Sequence, residues 1–178
     1  MKSVFKCTAI SFALLNLMGC ASSSGVVRNA SPVLISKSVS LDFILVDASS
    51  SIGELEAEER VLKDSICSGL NQTGLFGKVS ENQADIGLGK GIKIKAEIKS
   101  IKKVSVNERE WVGSFAGRAR ILVQVTITDL RSGKQIESFE AEGQSGRSAF
   151  AGTTDEAIRR SADQIVAQLV KLYTKTGD

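Results

Sequence analysis

Strict alternation restricts this chain more than any other feature. Ile92, Ile94, Ala96 and Ile98 are apolar, the positions between them are Lys93, Lys95, Glu97 and Lys99, and Val104 and Val106 resume the apolar side beyond Lys103. A period of two belongs to a β-strand with one face in a core and the other in water. Ser100, Ile101 and Lys102 break the alternation and mark a β-bulge in one long strand over Ile92 to Val106. Ile121, Val123, Val125 and Ile127 alternate in the same way with Leu122, Gln124, Thr126 and Thr128. Asp129 to Lys134, with Gly133 available for a positive φ, then turns the chain into another strand, Gln135 to Glu142. Strands with one polar and one apolar side need a single covering layer.

Two amphipathic segments can supply it. Ser51-Ile-Gly-Glu54 has capping-box spacing, and Leu55, Leu62, Ile66 and Leu70 share one helical face, which predicts a helix over 52–71 closed by Gly74 and Gly77. Thr153-Thr-Asp-Glu156 repeats the box, and Ile158, Ala162, Ile165, Val166, Leu169 and Leu172 predict a second helix. Val39, Leu41, Phe43 and Leu45 mark a strand entering the core, and a short strand is expected around Lys78 to Ser80. At 178 residues the chain is one domain. The expected architecture is α+β, a two-layer sandwich in which a mixed, mainly antiparallel sheet of four to five strands is covered by two helices. The globular domain is expected over 34–178, folding alone as a monomer.

The N-terminus carries a different signal. Lys2 and Lys6 precede an apolar run from Thr8 to Met18, interrupted only by Ser11 and Asn16 and too short to span a bilayer as a mature helix. Residues 1–19 therefore read as a secretory signal peptide. Leu17-Met18-Gly19-Cys20 resembles the lipobox of bacterial lipoproteins, and that resemblance implies that Cys20 is diacylated, becomes the new N-terminus and is then N-acylated. One acyl chain anchors only marginally, whereas several anchor stably. Residues 20–33 follow as a lipidated tether, small, polar and turn-rich from Ala21 to Pro32. Ala21 and Ser22 lack the aspartate that retains such lipoproteins in the inner membrane. By that family rule the protein is lipid-anchored to the outer membrane, facing the periplasm.

Composition then excludes function classes. The chain has no histidine, which removes Ser-His-Asp and Cys-His catalysis and every imidazole metal site. With Cys7 cleaved and Cys20 acylated, Cys67 stands alone, so no intrachain disulfide is expected and Cys67 reads as a small packing residue. The formal charge of +3 includes Lys2 and Lys6, so the mature chain carries about +1 and no nucleic-acid partner is indicated. Gly87-Leu-Gly-Lys-Gly91 lacks the Ser or Thr and the following helix of a phosphate loop, so no nucleotide is expected. No cofactor or metal is expected either.

Ala116-Gly-Arg-Ala-Arg-Ile-Leu-Val-Gln-Val-Thr-Ile-Thr-Asp129, followed by Arg131-Ser-Gly-Lys134 and a Gly-rich lead into the terminal helix, resembles a domain-of-unknown-function family of small bacterial lipoproteins. The element order is more loosely similar to lipoprotein activators of peptidoglycan synthases and to the N-terminal domain of the periplasmic Tol-system propeller protein. These resemblances imply fold and compartment and carry over no catalytic residue.

Three candidate sites remain. Lys93, Lys95, Lys99 and Lys103 could meet anionic groups or form a solvated face that Glu97 interrupts. Pairs drawn from Glu137, Glu140 and Glu142, or Glu108 with Glu110, could serve a glycan hydrolase if they converge in a cleft. The connection Asn107 to Arg118 holds the only Trp, with Phe115 and Arg118 close by and glycines at 113 and 117. Trp and Arg anchor interfaces, so Trp111, Phe115 and Arg118 either dock a partner or, for Trp111, fold back to cap the core. The expected function is a membrane-anchored, non-catalytic periplasmic binding module, an accessory factor for a cell-envelope complex that contacts a periplasmic protein or peptidoglycan. The alternatives are a component of a secretion or transport complex and a carboxylate-based glycan hydrolase.

Overall fold

The alternating segments come together as one mixed sheet. The structure is a computed structural model and describes residues 27–28, 42–82, 90–103, 118–146 and 153–174. Its elements are β1 (Val27–Arg28), β2 (Phe43–Ser50), α1 (Glu56–Thr73), β3 (Lys78–Ser80), β4 (Gly91–Lys102), β5 (Arg120–Asp129), β6 (Gln135–Gln144) and α2 (Thr154–Thr174). The sheet order is β1-β6-β5-β4-β2-β3. β2 runs parallel to both β3 and β4, and the remaining pairs are antiparallel. The fold is therefore α+β with an open mixed sheet of five strands, extended at one edge by the two residues of β1. Those two residues lie within the stretch read as tether.

Register explains the core. Val46, Ile94 and Ile127 stand side by side across the ladder, as do Ala48, Ala96, Val125 and Phe139 in the next row. This band is buried beneath Leu62, Ile66 and Leu70 of α1 and Ile158, Ala162, Ile165 and Leu169 of α2, so both helices cover the same face. Burying each such aliphatic side chain contributes ~1.5–3 kcal/mol. The bulge expected near Ser100 falls between Ile98 and Ser100, which makes Lys99 the extra residue and returns Ile101 to the core side opposite Ile121.

α2 sits unusually close to the sheet. A Cβ on Gly143 would come 2.0 Å from the carbonyl oxygen of Ala157, so only glycine allows this helix to lie directly on the β6 backbone. At the β5–β6 turn Gly133 takes φ 69°, and Asp129 Oδ1 accepts hydrogen bonds from the Ser132 N–H at 2.6 Å and its hydroxyl at 2.8 Å.

The helix starts differ from expectation. α1 begins at Glu56 with Leu55 as N-cap and no capping side chain, because Ser51 is committed elsewhere. Its N–H and its hydroxyl both donate to the Ile98 carbonyl, at 3.1 and 3.2 Å, so it prolongs the β2–β4 ladder instead of capping a helix. Glu56, Glu58 and Glu59 face the helix dipole in its place. The second box is half formed. Thr153 Oγ1 accepts from the Glu156 N–H at 3.2 Å, but the Glu156 carboxylate accepts from the Gly146 N–H and from Arg160. β2 begins at Phe43, and Val39 and Leu41 lie outside the described residues.

Candidate functional site

With the helices on one side, the opposite face of the sheet carries the charged rows of β4, β5 and β6. Phe43 and Leu45 of β2, expected to enter the core, stand on this opposite face and are buried there, while Ile44 and Val46 take the helix side. The lysines on and beside the charged rows are already engaged. Lys93 pairs with Asp47 at 3.2 Å, Lys95 and Lys99 both meet Glu97, at 3.8 and 2.7 Å, and Lys103 meets Glu58. The hydrogen bond from Lys99 holds the Glu97 carboxyl below its usual range, and Lys103 does the same for Glu58. This is a solvated face of alternating charge, whose exposed pairs add little stability each.

The β6 carboxylates divide between the two faces of the sheet. Glu137 points toward the helices and is 2% exposed, opposite Ile127, whereas Glu140 and Glu142 lie on the outer face opposite Gln124 and Leu122. Glu140 and Glu142 join Ser100, Arg120 and Leu122 around a shallow depression of about 260 Å³. Sequence reading paired the glutamates by type; the depression depends on Arg120 and Ser100, which only the cross-strand register brings to them. Glu108 and Glu110 lie outside the described residues.

Of the three residues assigned to partner binding, Trp111 and Phe115 lie outside the described residues, as does Cys20. Arg118 is half-buried at the end of the sheet, where Nη1 donates to Gln144 Oε1 at 2.9 Å. Beside it the Ala119 N–H donates to Ser145 Oγ at 2.9 Å, and the Ser145 N–H returns a bond to the Ala119 carbonyl at 3.0 Å. Arg118 thus straps the start of β5 to the end of β6, a role its sequence neighbours did not suggest.

Cys67 is buried in α1, and burial pushes its thiol up to about 12. It joins the core cluster as a neutral thiol, with the Glu81 and Asp64 carboxylates reinforcing the rise. Lys90 and Gly91 lead into β4, not into a helix, with the Lys90 carbonyl accepting from the Asp42 N–H at 3.0 Å. Lys90 is therefore followed by a strand and not by the helix terminus that cradles phosphate. Among the described residues no group of three His, Cys, Asp or Glu is placed to hold a metal ion, and no helix is long and apolar enough to cross a membrane.

Residues 27–149 match the model of the family described as Domain of unknown function (DUF4410). The chain belongs to that family. The DUF4410 segment starts at the first residue of β1 and stops before α2. No curated protein matches the chain. Among solved structures it is similar to the PelC dodecamer from Paraburkholderia phytofirmans, with 12% identity, a TM-score of 0.54, and coverage of 84% of this chain and 96% of that one. A point variant of the same dodecamer gives 11% identity and a TM-score of 0.50 with the same coverage. A candidate lipoprotein from Caulobacter crescentus matches at 13% identity and a TM-score of 0.40, over 73% of this chain and 88% of that one. At these identities the likeness to PelC is one of fold.

Proposed function

We propose that this DUF4410 protein is a lipid-anchored, non-catalytic binding module on the periplasmic face of the outer membrane, where it serves a cell-envelope complex. The observation that carries this reading is the division of the β6 carboxylates between the two faces of the sheet. Glu137 lies beneath the helices, apart from the other two, while Glu140 and Glu142 sit two residues apart on the outer face along a shallow depression, which supports a face for contact over a cleft that encloses a glycan between an acid and a base. The anchor rests on Leu17-Met18-Gly19-Cys20, and the contact on Trp111, Phe115 and Arg118 at the connection between β4 and β5. The partner is a periplasmic protein or peptidoglycan.

A second reading, a repeated subunit of a secretion or transport complex, is favoured by the solved state of PelC, a dodecamer on a similar fold.

Capture from envelope extract with the membrane-extracted protein, wild type and Trp111→Ala, tests the contact. Loss of a hot-spot Trp costs ~2 kcal/mol of binding, about thirtyfold in affinity, whereas loss of a core Trp costs ~3–5 kcal/mol of stability. Partner loss at an unchanged Tm is the expected result, and a large fall in Tm would make Trp111 a core residue. Recovery of one enzyme, of a multi-subunit complex including further copies of this chain, or of glycan alone separates the accessory, complex and hydrolase readings.

A further inference from the structure

The register of β1 fixes which end of the sheet Val27 lies toward. Val27 stands opposite Ala141 and Arg28 opposite Glu140, antiparallel, so Val27 is the end of β1 nearer Glu142 and Gln144. Gln144 pairs with Arg120, and Arg120 with Lys102, which makes this one end of the sheet. β2 also finishes there, with Ser50 opposite Ile98, and the turn into α1 presents Ile52, 49% exposed. Leu75 and the Asp129–Lys134 turn lie at the opposite end, beside the starts of β2 and β4.

We propose that the Lys102–Arg120 end of the sheet rests on the bilayer surface, with the sheet layer toward anionic headgroups. This orientation depends on the reading of Cys20 as the lipid anchor. Reach favours it first. The seven residues from Cys20 to Val27 extend at most ~25 Å, less than the ~40 Å run of a 12-residue strand such as β4. Charge favours it second. Lys102 and Arg120 are both exposed on the outer face, directly across the ladder, and neither forms an ion pair with a described residue, unlike Lys93, Lys95, Lys99 and Lys103. Like charges placed opposite one another oppose the pairing, and a phosphate between them relieves that repulsion. Among the described residues Glu142, the nearest acid on that face, stands one outer-face row further in, opposite Leu122. At the same end the helix layer carries Glu56 and Glu59, which an anionic surface repels, and Glu58, which Lys103 neutralises, so the sheet layer is the side that settles. The β4–β5 connection opens from this end, at Lys103 and Arg118, so a partner bound there lies at the membrane surface.

Site-specific quenching tests the orientation. The full chain, processed in the cell, is extracted and reconstituted into vesicles of phosphatidylethanolamine and phosphatidylglycerol containing a headgroup-linked quencher. Ile52→Cys and Leu75→Cys variants are labelled with a thiol fluorophore; Cys67, buried with its thiol pushed up to about 12, stays unlabelled. The label at 52 is expected to be quenched several-fold more than the label at 75, and the double change Lys102→Glu, Arg120→Glu to shrink that contrast. Arg131→Cys replaces the far probe if Leu75→Cys fails to fold. Equal or reversed quenching in protein whose intact mass starts at Cys20 with added acyl groups overturns the orientation alone. Protein without acyl mass overturns the anchor reading and the orientation with it.

Discussion

Replacing Gly143 by alanine tests the closest contact in the fold. The added Cβ would sit 2.0 Å from the Ala157 carbonyl oxygen, 2.8 Å from the Ser161 nitrogen and 3.0 Å from the Ala157 carbonyl carbon. All three are main-chain atoms of α2, so no side-chain rotation relieves the overlap. Nonbonded carbon contacts settle near ~3.5 Å, so the first turns of α2 must lift by more than ~1 Å. That movement loosens Ala157, Ile158, Ser161 and Ala162, all buried against the sheet. Overpacking costs ~1–3 kcal/mol and more where backbone must move, while removing a strand glycine returns ~0.5–1 kcal/mol. The net loss is about 2 kcal/mol or more, a substantial part of the ~5–15 kcal/mol that holds a domain together. Urea unfolding followed by far-UV circular dichroism should show a midpoint lower by ~1 M, and thermal melting a Tm lower by roughly 5–10 °C. The additional change Ala157→Gly should restore nothing, because the obstacle is a main-chain oxygen. An unchanged midpoint for Gly143→Ala, or rescue by Ala157→Gly, would refute the reasoning.

The Cys67 thiol, raised to about 12 by burial, should resist a thiol reagent at pH 8 in the native protein and react at once in denaturant; rapid native reaction would place it at the surface. The Ser132 N–H and hydroxyl hold the Asp129 carboxyl below the ordinary aspartate range. A folded value below the unfolded one means that the stabilisation is complete above the unfolded value and disappears as pH falls through the folded one. Asp129→Asn should therefore be less stable than wild type near neutrality and equal to it in strong acid; a gap independent of pH would assign the loss to turn geometry alone.

The period-two pattern made β4, β5 and β6 legible because one face of each is wet and one dry, and the break at Ser100 located the bulge for the same reason. The helices were legible from Leu62, Ile66 and Leu70 and from Ile158, Ile165 and Leu169, whose burial needs no knowledge of the partner. Helix starts were not. A Ser three residues before a Glu describes a cap only if the Ser is free, and Ser51 is held by the Ile98 carbonyl, 47 positions away in sequence. Glu156 likewise answers to Gly146, a contact that spacing within one helix cannot reveal. Parallel pairing of β2 with β4 places α1 and β3 between partners, so it left no local trace. Val27 and Arg28 looked like part of a tether because two residues carry no period. The Arg120 and Glu140 neighbourhood was invisible because cross-strand register, unlike alternation, is not written along either strand.

The contribution of α2 sets the timing of folding. The helix lies beyond the segment that matches the family, yet Ile158, Ala162, Ile165, Leu169 and Leu172 close the apolar side of the sheet. During synthesis a chain completed only as far as Gln144 has its β4–β5–β6 meander and nothing to lay over half of it. Apolar sheet surface left open to water is prone to aggregation. Closure of the core waits until Leu172 has left the ribosome, and a chain stopped at Gln144 holds α1 over one half of the sheet and leaves the other half of its apolar face open.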